Sequence, residues 1–361
     1  ARVTGQHVLS HSVLYSGGPN ADGRNTATDV AGYLQVDKKL MDRLMLSAGA
    51  RYERFKVNDY EHGEPVFRAG ATYQVLEGTF LRASYGQGFR FPTIGERYSL
   101  TAGGSLHIYP DPDLRPETSV NIEGGVKQGF KFGGVTGYVD LTAFRQDFDQ
   151  YVEFTFGQWG MDRSPANLLG FGFKSINTGG ARITGSEVSV AGKGKLGAVE
   201  LTMLLGYTHA LPVSTTPDQA YGSSITTAGA ESVVTYANTS SDTTGNVLKF
   251  RVQNLFRSDL GVTWKRLSGG VSVRYNSHVR NIDEAFITFE RLGVRGNIGV
   301  DEWMRTHTTG DWITDMRIGY AITKQVKASF IVNNLSNEVY AIRPMAIEAP
   351  RNFQIELALE L

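Results

Sequence analysis

Histidine is the residue type in this chain best suited to hold a metal or a haem iron. The seven histidines are His7, His11, His62, His107, His209, His278 and His307. Most lie in predicted loops or at strand ends, where a solvated side chain is the simpler interpretation. A pair such as His107 and His209 could still bind a metal or a haem iron. We keep His107 as a candidate ligand because of its place in the chain, described below.

Two other patterns could indicate nucleotide binding or catalysis. Residues 192–197, GKGKLG, fit the G-x-G-x-x-G spacing of dinucleotide-binding loops. Predicted strands flank them on both sides, so no helix is available to hold a pyrophosphate, and a hairpin turn is the better interpretation. Serine, histidine and aspartate occur in the loops, but no spacing singles out a triad. The sequence therefore predicts no enzyme activity and no cofactor.

Charge and cysteine content exclude further classes. Acidic and basic residues number 36 each, whereas a nucleic-acid-binding protein normally carries a basic excess. The chain has no cysteine, which excludes a disulfide framework and a cysteine metal site. No apolar run approaches the roughly 18 residues of a transmembrane helix. That result does not exclude barrel strands, whose alternating pattern gives a much weaker hydropathy signal.

The elements that must position these residues show a period of two. In residues 44–52, LMLSAGARY, one face carries leucine, alanine and tyrosine, and the other ends at Arg51. The pattern recurs in residues 81–86, 120–127, 199–208, 259–265, 326–333 and 353–361. Such alternation indicates a strand with one apolar face. We count about fourteen such segments, many near the roughly ten residues that a tilted strand needs to cross a bilayer.

The connections between the segments alternate in length. Short ones lie near residues 41–43, 76–78, 131–134, 193–197, 266–268 and 323–325. Long ones lie near residues 16–28, 89–116, 157–173, 210–246, 279–310 and 335–350, and the one near 58–64 is shorter. Outer-membrane barrels have short periplasmic turns and longer outer loops. The pattern predicts an all-β fold, a transmembrane antiparallel β-barrel in the cell outer membrane.

Aromatic residues on the apolar face fall at two levels. The level near the long loops consists of Tyr52, Tyr85, Tyr207 and Tyr275, and the other of Tyr73, Trp264 and Tyr320. Two aromatic girdles are typical of a bilayer-spanning barrel. A soluble all-β protein would explain the alternation but not the two levels or the one-sided loops. The polar face predicts inward-pointing, charge-paired side chains at Arg51, Arg82, Glu123 and Lys127.

Two sequence boxes carry a family resemblance. Residues 84–98, SYGQGFRFPTIGERY, resemble the "FRAP" box of TonB-dependent receptors, with Phe91 in place of the usual alanine. Residues 111–118, DPDLRPET, resemble the "NPDLKPET" box that follows it. The motif residues are Phe89, Arg90, Pro92, Asp111, Pro112, Leu114, Pro116 and Glu117. Residues 33–37 with 49–53 resemble an earlier hairpin of the family, and residues 333–340 with 350–353 resemble its C-terminal end. The motifs are most similar to those of receptors from the Bacteroidetes.

The resemblance implies a barrel larger than the segments counted. The family barrel has about 22 strands around a plug, so residues 1–361 would be its C-terminal portion. The plug and the first strands would then lie in another chain, or have been cleaved or left out. An open sheet would otherwise leave unpaired backbone groups in lipid. Members usually end in Phe or Trp, whereas this chain ends in Leu361, on a strand that keeps its alternation.

The resemblance also implies a function, namely active uptake of a scarce ligand too large for porins. The TonB–ExbB–ExbD system would act through the plug, and this chain would supply barrel wall within outer-membrane lipid and most outer loops. An iron chelate is the expected ligand, either a ferric siderophore or haem. Haem receptors of this family place a histidine between the two boxes, where His107 lies. Tyr98, Tyr109 and Arg90 are further candidates for ligand binding.

Other functions remain open. A passive porin-like channel or a structural barrel of about fourteen strands would share the same wall. Uptake of cobalamin, peptide or glycan would use the same family machinery, and a surface lipoprotein would then be a possible lid. A plug and a TonB-contacting segment upstream would decide for active transport.

Overall fold

A computed structural model of the chain describes residues 1–101, 107–225, 231–293, 296, 298–343 and 346–359. The strands are β1 (Arg2–His11), β2 (Arg24–Leu40), β3 (Leu44–Val57), β4 (Tyr60–Leu76), β5 (Thr79–Arg90), β6 (Ile108–Tyr109), β7 (Glu117–Phe132), β8 (Val135–Asp149), β9 (Val152–Gln158), β10 (Phe171–Asn177), β11 (Ala181–Leu196), β12 (Val199–Ser214), β13 (Ala220–Ile225), β14 (Glu231–Thr235), β15 (Asn254–Trp264), β16 (Leu267–Asn276), β17 (Asp311–Ala321), β18 (Val326–Asn333), β19 (Ala341–Arg343), β20 (Ala346–Ile347) and β21 (Asn352–Leu359).

Helices are short and confined to the connections. They are α1 (Ile94–Tyr98), α2 (Glu284–Arg291) and α3 (Val300–Thr306), with 3-10 turns at Val13–Tyr15, Pro165–Gly170, Ala237–Thr239 and Thr244–Asn246. Within the described ranges, no helix has the length and apolar character needed to cross a membrane.

Fourteen strands form a single antiparallel sheet, which confirms the all-β fold and the strand count expected from the periodicity. Their order is β1, β2, β3, β4, β5, β7, β8, β11, β12, β15, β16, β17, β18 and β21. Among the described residues, β1 pairs with β2 alone and β21 with β18 alone, so the sheet has two edges. Leu361, expected in the last strand, lies outside the described residues.

The two faces of the sheet differ as the alternation predicts. One face exposes large apolar side chains, among them Leu34, Leu81, Leu141 and Ile318. An exposed apolar band of this extent suits contact with lipid rather than water. Exposed aromatic side chains stand on the same face at both levels, namely Tyr52, Tyr85 and Tyr207 at one and Tyr73, Trp264 and Tyr320 at the other.

The opposite face carries paired charges. Arg82 Nη1 lies 2.6 Å from Asp140 Oδ2, and its Nε lies 3.4 Å from Glu123 Oε1. Arg51 Nε lies 2.5 Å from Glu53 Oε2. Lys127 Nζ instead lies 3.8 Å from the centre of the Tyr138 ring. The inward-pointing residues predicted from the sequence therefore bind one another or neighbouring groups along the wall.

The connections agree with the predicted alternation, with one correction. The expected loop over residues 58–64 is wrong, because only Asn58 and Asp59 join β3 to β4. Asn58 adopts φ +51°, a conformation that asparagine tolerates well in tight hairpin turns. Residues 60–64 then continue the ladder with residues 53–57. This outer connection is therefore a tight turn rather than a loop.

Three long connections on that side form an outer loop platform, defined as the described residues within 150–180, 215–253 and 277–310. The first of them contains β9 and β10, which form a small three-stranded sheet with β6. The Phe156 ring stacks on Phe286 at 4.3 Å between centroids and meets Phe289 edge-on at 5.6 Å. Buried apolar residues of the first and third loops form one cluster, namely Phe156, Leu168, Phe171, Ile282, Phe286, Ile287, Phe289 and Val300. The platform is thus a folded layer at the outer end of the wall.

Candidate functional site

The first family box turns the chain from β5 into α1. Thr93 caps α1: its Oγ1 accepts from Glu96 N–H at 3.1 Å, and the Glu96 carboxylate accepts from Thr93 N–H at 2.8 Å. This reciprocal capping satisfies two backbone donors at the start of the helix. Arg90 Nη1 lies 2.6 Å from Glu96 Oε1, and Arg90 Nε lies 3.7 Å from Glu117 Oε1. Arg90 therefore joins the first box to Glu117 near the end of the second.

Arg97 makes a second connection between the boxes. Its guanidinium donates to the Leu114 carbonyl at 2.6 Å and also to the Pro112 carbonyl. The same group lies 4.0 Å above the Tyr60 ring, and only 4 % of the residue is exposed. A planar fork of donors suits two neighbouring carbonyl groups and an aromatic face at once. We call residues 89–98 with 111–117 the clasp.

Apolar residues of both boxes fill the interior of the clasp. Phe91, which replaces the usual alanine, stacks on Phe55 at 5.4 Å between ring centroids. Pro92 and Leu114 are fully buried. Tyr98 is buried in the same cluster as Phe91, and its carbonyl accepts from Gly17 N–H at 3.0 Å. The motif residues thus build the outer end of β5 and β7.

The two remaining candidate ligands lie beside the clasp. His107 is 6 % exposed, and its Nδ1 lies 3.2 Å from the Thr101 carbonyl oxygen. Tyr109, on β6, has its ring centre 6.1 Å from that of His107. Burial raises the pKa of the Tyr109 hydroxyl, and Arg163 partly offsets that shift. His107 and Tyr109 are neighbours, whereas Tyr98 belongs to the clasp interior and Arg90 to its ion pairs.

The remaining motif contacts extend the clasp toward the platform. Lys174 Nζ on β10 lies 3.5 Å from Asp111 Oδ2, and burial is the largest cause of the raised pKa of that carboxyl group. His209, paired with His107 in the sequence-based hypothesis, donates from Nδ1 to Asn254 Oδ1 at 2.9 Å. Within the described part of the chain, no group of three histidine or carboxylate side chains could hold a metal ion.

A buried charged cluster in the platform was not predicted from the sequence. Lys249 Nζ lies 2.9 Å from Asp283 Oδ1, and the two side chains are 0 % and 1 % exposed. Glu153 is buried nearby, on β9. The sequence contains a weak signal, since both Glu153 and Lys249 stand among apolar neighbours in YVEFTF and VLKFRV. That pattern does not reveal which loops meet.

Residues 5–335 match the family model described as TonB dependent receptor-like, beta-barrel. The chain belongs to this family. The family resemblance is thereby confirmed, and so is a place in the outer membrane of a Gram-negative bacterium for this receptor barrel. The family consists of receptors and transporters and not of enzymes. The specific similarity to receptors of the Bacteroidetes stays a prediction.

Solved TonB-dependent receptors share the fold. The ferripyoverdine receptor of Pseudomonas aeruginosa, bound to ferripyoverdine, gives a TM-score of 0.58 at 17% identity over 93% of this chain and 39% of that chain. The hemophore receptor HasR of Serratia marcescens, in complex with its hemophore HasA and heme, gives 0.62 at 16% identity over 93% of this chain and 51% of that chain. The chain thus spans about half or less of these receptors.

A curated relative adds a sequence match. The hemoglobin and hemoglobin-haptoglobin-binding protein A of Haemophilus influenzae is 25% identical over 141 residues, which are 39% of this chain and 12% of that protein. A match over 12% of that protein does not identify the ligand of this chain.

Proposed function

We propose that this chain forms the wall and most outer loops of an active transporter that takes up an iron chelate. The observation that carries the proposal is the outer loop platform, whose loops pack on a shared aromatic core at the mouth of the barrel. A folded surface at that position can bind a ligand too large for a simple pore. Relatives named for ferripyoverdine, heme and hemoglobin support the same ligand class.

Uptake against a gradient needs energy that a wall of strands does not supply. We propose that the TonB–ExbB–ExbD system supplies it, acting on a plug within the lumen. That plug would come from the N-terminal barrel and plug segment of the receptor, on the same chain or on another. The paired charges on the inward face leave a polar lining, which suits a passage for a polar chelate. A surface lipoprotein would be a further partner if the cargo is a peptide or a glycan.

Growth on defined sources tests the ligand class. A strain that lacks the gene for this protein should lose growth when haem or a ferric siderophore is the only iron source. It should keep growth when cobalamin is the limiting nutrient. Unimpaired growth on every iron source would contradict the iron-chelate proposal, and a defect limited to cobalamin would reassign the cargo.

Haem is the narrower alternative, with His107 as its iron ligand and Tyr98, Tyr109 and Arg90 as further candidates. His107 is buried, and its carbonyl accepts from Phe173 N–H of β10, so a haem iron would reach its imidazole only if this packing opened. If haem is the cargo, His107→Ala should abolish haem-dependent growth and leave siderophore-dependent growth intact. His11→Ala, at an exposed histidine at the end of β1, is the matched control. Unchanged haem binding by His107→Ala would remove this alternative.

A further inference from the structure

The buried charged cluster joins all three loops of the platform. Lys249, from the second loop, binds Asp283 of the third loop at 2.9 Å and Thr239 Oγ1 at 2.8 Å. The other oxygen of Asp283 accepts from Phe156 N–H of the first loop at 2.8 Å. The bonds of Asp283 to Lys249 and to Phe156 N–H are buried, and a hydrogen bond to a charged group is strongest away from water. Separating any loop from the other two breaks a bond to Lys249 or Asp283.

Neighbouring groups extend the same connections. Lys249 N–H donates to the Tyr236 hydroxyl at 2.7 Å. Arg251 Nη2 donates to the Tyr151 hydroxyl at 2.9 Å. Phe250 N–H donates to the Asn281 carbonyl at 2.8 Å, which ties the second loop to the third a second time. The segment 249–251 is therefore the central strap of the platform.

Glu153 is the group in this cluster that is least well satisfied. Its side chain is buried, and its Oε1 has no hydrogen-bond partner among the described residues. The charged and titratable groups around it are Lys249, Arg251, Asp283, Tyr236, Tyr221 and Tyr151. Glu117 faces the same cluster through Tyr151. A buried carboxylate oxygen without a donor is costly when ionised and much less costly when protonated.

We propose that this cluster is a proton-sensitive latch, which holds the three outer loops together while Glu153 is protonated and loosens when Glu153 ionises. Opening would let water solvate the carboxylate and would separate it from Asp283. The latch is built from the loops of this chain alone. The inference therefore applies whichever ligand the proposed transporter takes up.

The direction of the pH effect follows from the burial of Glu153. Burial raises its pKa from 4.5 to about 7, although Lys249 and Arg251 oppose the shift. The closed platform therefore binds a proton more tightly than the opened one. The stability that protonated Glu153 gives the closed platform is fully present below pH 4.5. It falls as the pH rises toward 7 and changes little above that value. Between pH 5 and pH 8 the opening equilibrium should increase on the order of fiftyfold.

Hydrogen exchange of the full-length receptor in detergent micelles tests the latch. Peptides covering residues 150–158 and 246–253 contain the amides of Phe156, Lys249 and Phe250. Glu153→Gln keeps the shape of the protonated side chain and removes its titration. At pH 5 the wild type should exchange only about fourfold faster than this variant. At pH 8 these peptides should exchange on the order of three-hundredfold faster in the wild type. Comparison of the two proteins at one pH cancels the intrinsic rate of amide exchange.

Glu231→Gln is the matched control, since Glu231 is an exposed carboxylate in the second loop. It should behave as the wild type does at both pH values. Equal exchange in the wild type and Glu153→Gln at pH 8 would overturn the latch. If Glu153→Gln does not fold, the wild type alone still tests the latch. Protection of residues 246–253 that is the same at pH 5 and pH 8, after correction for intrinsic exchange, would overturn the proposal as well.

Discussion

Single arginines hold the clasp together, and they do so by contacts that a lysine cannot reproduce. Arg97 binds two carbonyl groups of the second box and covers the Tyr60 ring. Arg90 bridges Glu96 and Glu117. The two boxes therefore have a structural role, because their contacts fix how the chain leaves the wall after β5 and returns to it at β7. His107 lies next to this structure, and its role in ligand binding stays a prediction.

Arg97→Lys should weaken the clasp by about 2 kcal/mol, since an ammonium group loses one charged hydrogen bond and the planar contact with the ring. Asp111 N–H donates to the Arg97 carbonyl at 2.9 Å, so hydrogen exchange at that amide reports the opening. Its protection should fall roughly thirtyfold. Arg115→Lys, at an exposed position in the same segment, should leave it unchanged. An unaffected Asp111 amide in Arg97→Lys would show that the side chain contributes little.

At the scale of the elements, the alternation along each strand assigns every side chain to lipid or lumen. Strand β12 shows this best. Met203 and Tyr207 point to the lipid face. Leu204 points to the lumen face, where it lies directly across from Asp259 of β15. Asp259 in turn binds Arg317 through both oxygens at 2.7 Å. Consecutive residues of β12 thus face the lipid hydrocarbon and the charged lumen lining alternately.

Met203→Arg should destabilise the receptor by about 2–4 kcal/mol, because this position lies midway between the two aromatic levels on the lipid face. Leu204→Arg should cost much less, since its guanidinium points into the polar lumen. Denaturant unfolding of the full-length protein from lipid vesicles measures both free energies. Equal losses in the two neighbouring variants would contradict the assignment of faces to β12.

At the scale of the whole molecule, the sheet is a wall with two edges among the described residues. Unpaired strand edges are not tolerated in lipid, so further strands must continue β1 and β21 if these strands do not meet each other. The solved receptors that share the fold are about twice as long as this chain, or longer. The chain therefore corresponds to about half or less of these receptors.

The sequence by itself determined the wall. The period of two, the aromatic levels and the lengths of the connections depend only on neighbours along the chain and on the bilayer, so local patterning sufficed for the strands and their faces. It failed at residues 58–64, where a connection was expected and cross-strand pairing extended the hairpin instead. The boxes gave the family, because their residues lie close in sequence.

Only the tertiary structure decided what the long loops do. Glu153, Lys249 and Asp283 are far apart in sequence, and nothing in their local patterns indicates that they meet in a dry cluster. His107 was predicted from its place between the boxes, yet its burial depends on β10, which follows more than sixty residues later. Contacts between loops are set by packing across the outer end of the wall. That packing is a long-range property which periodicity along a strand cannot encode.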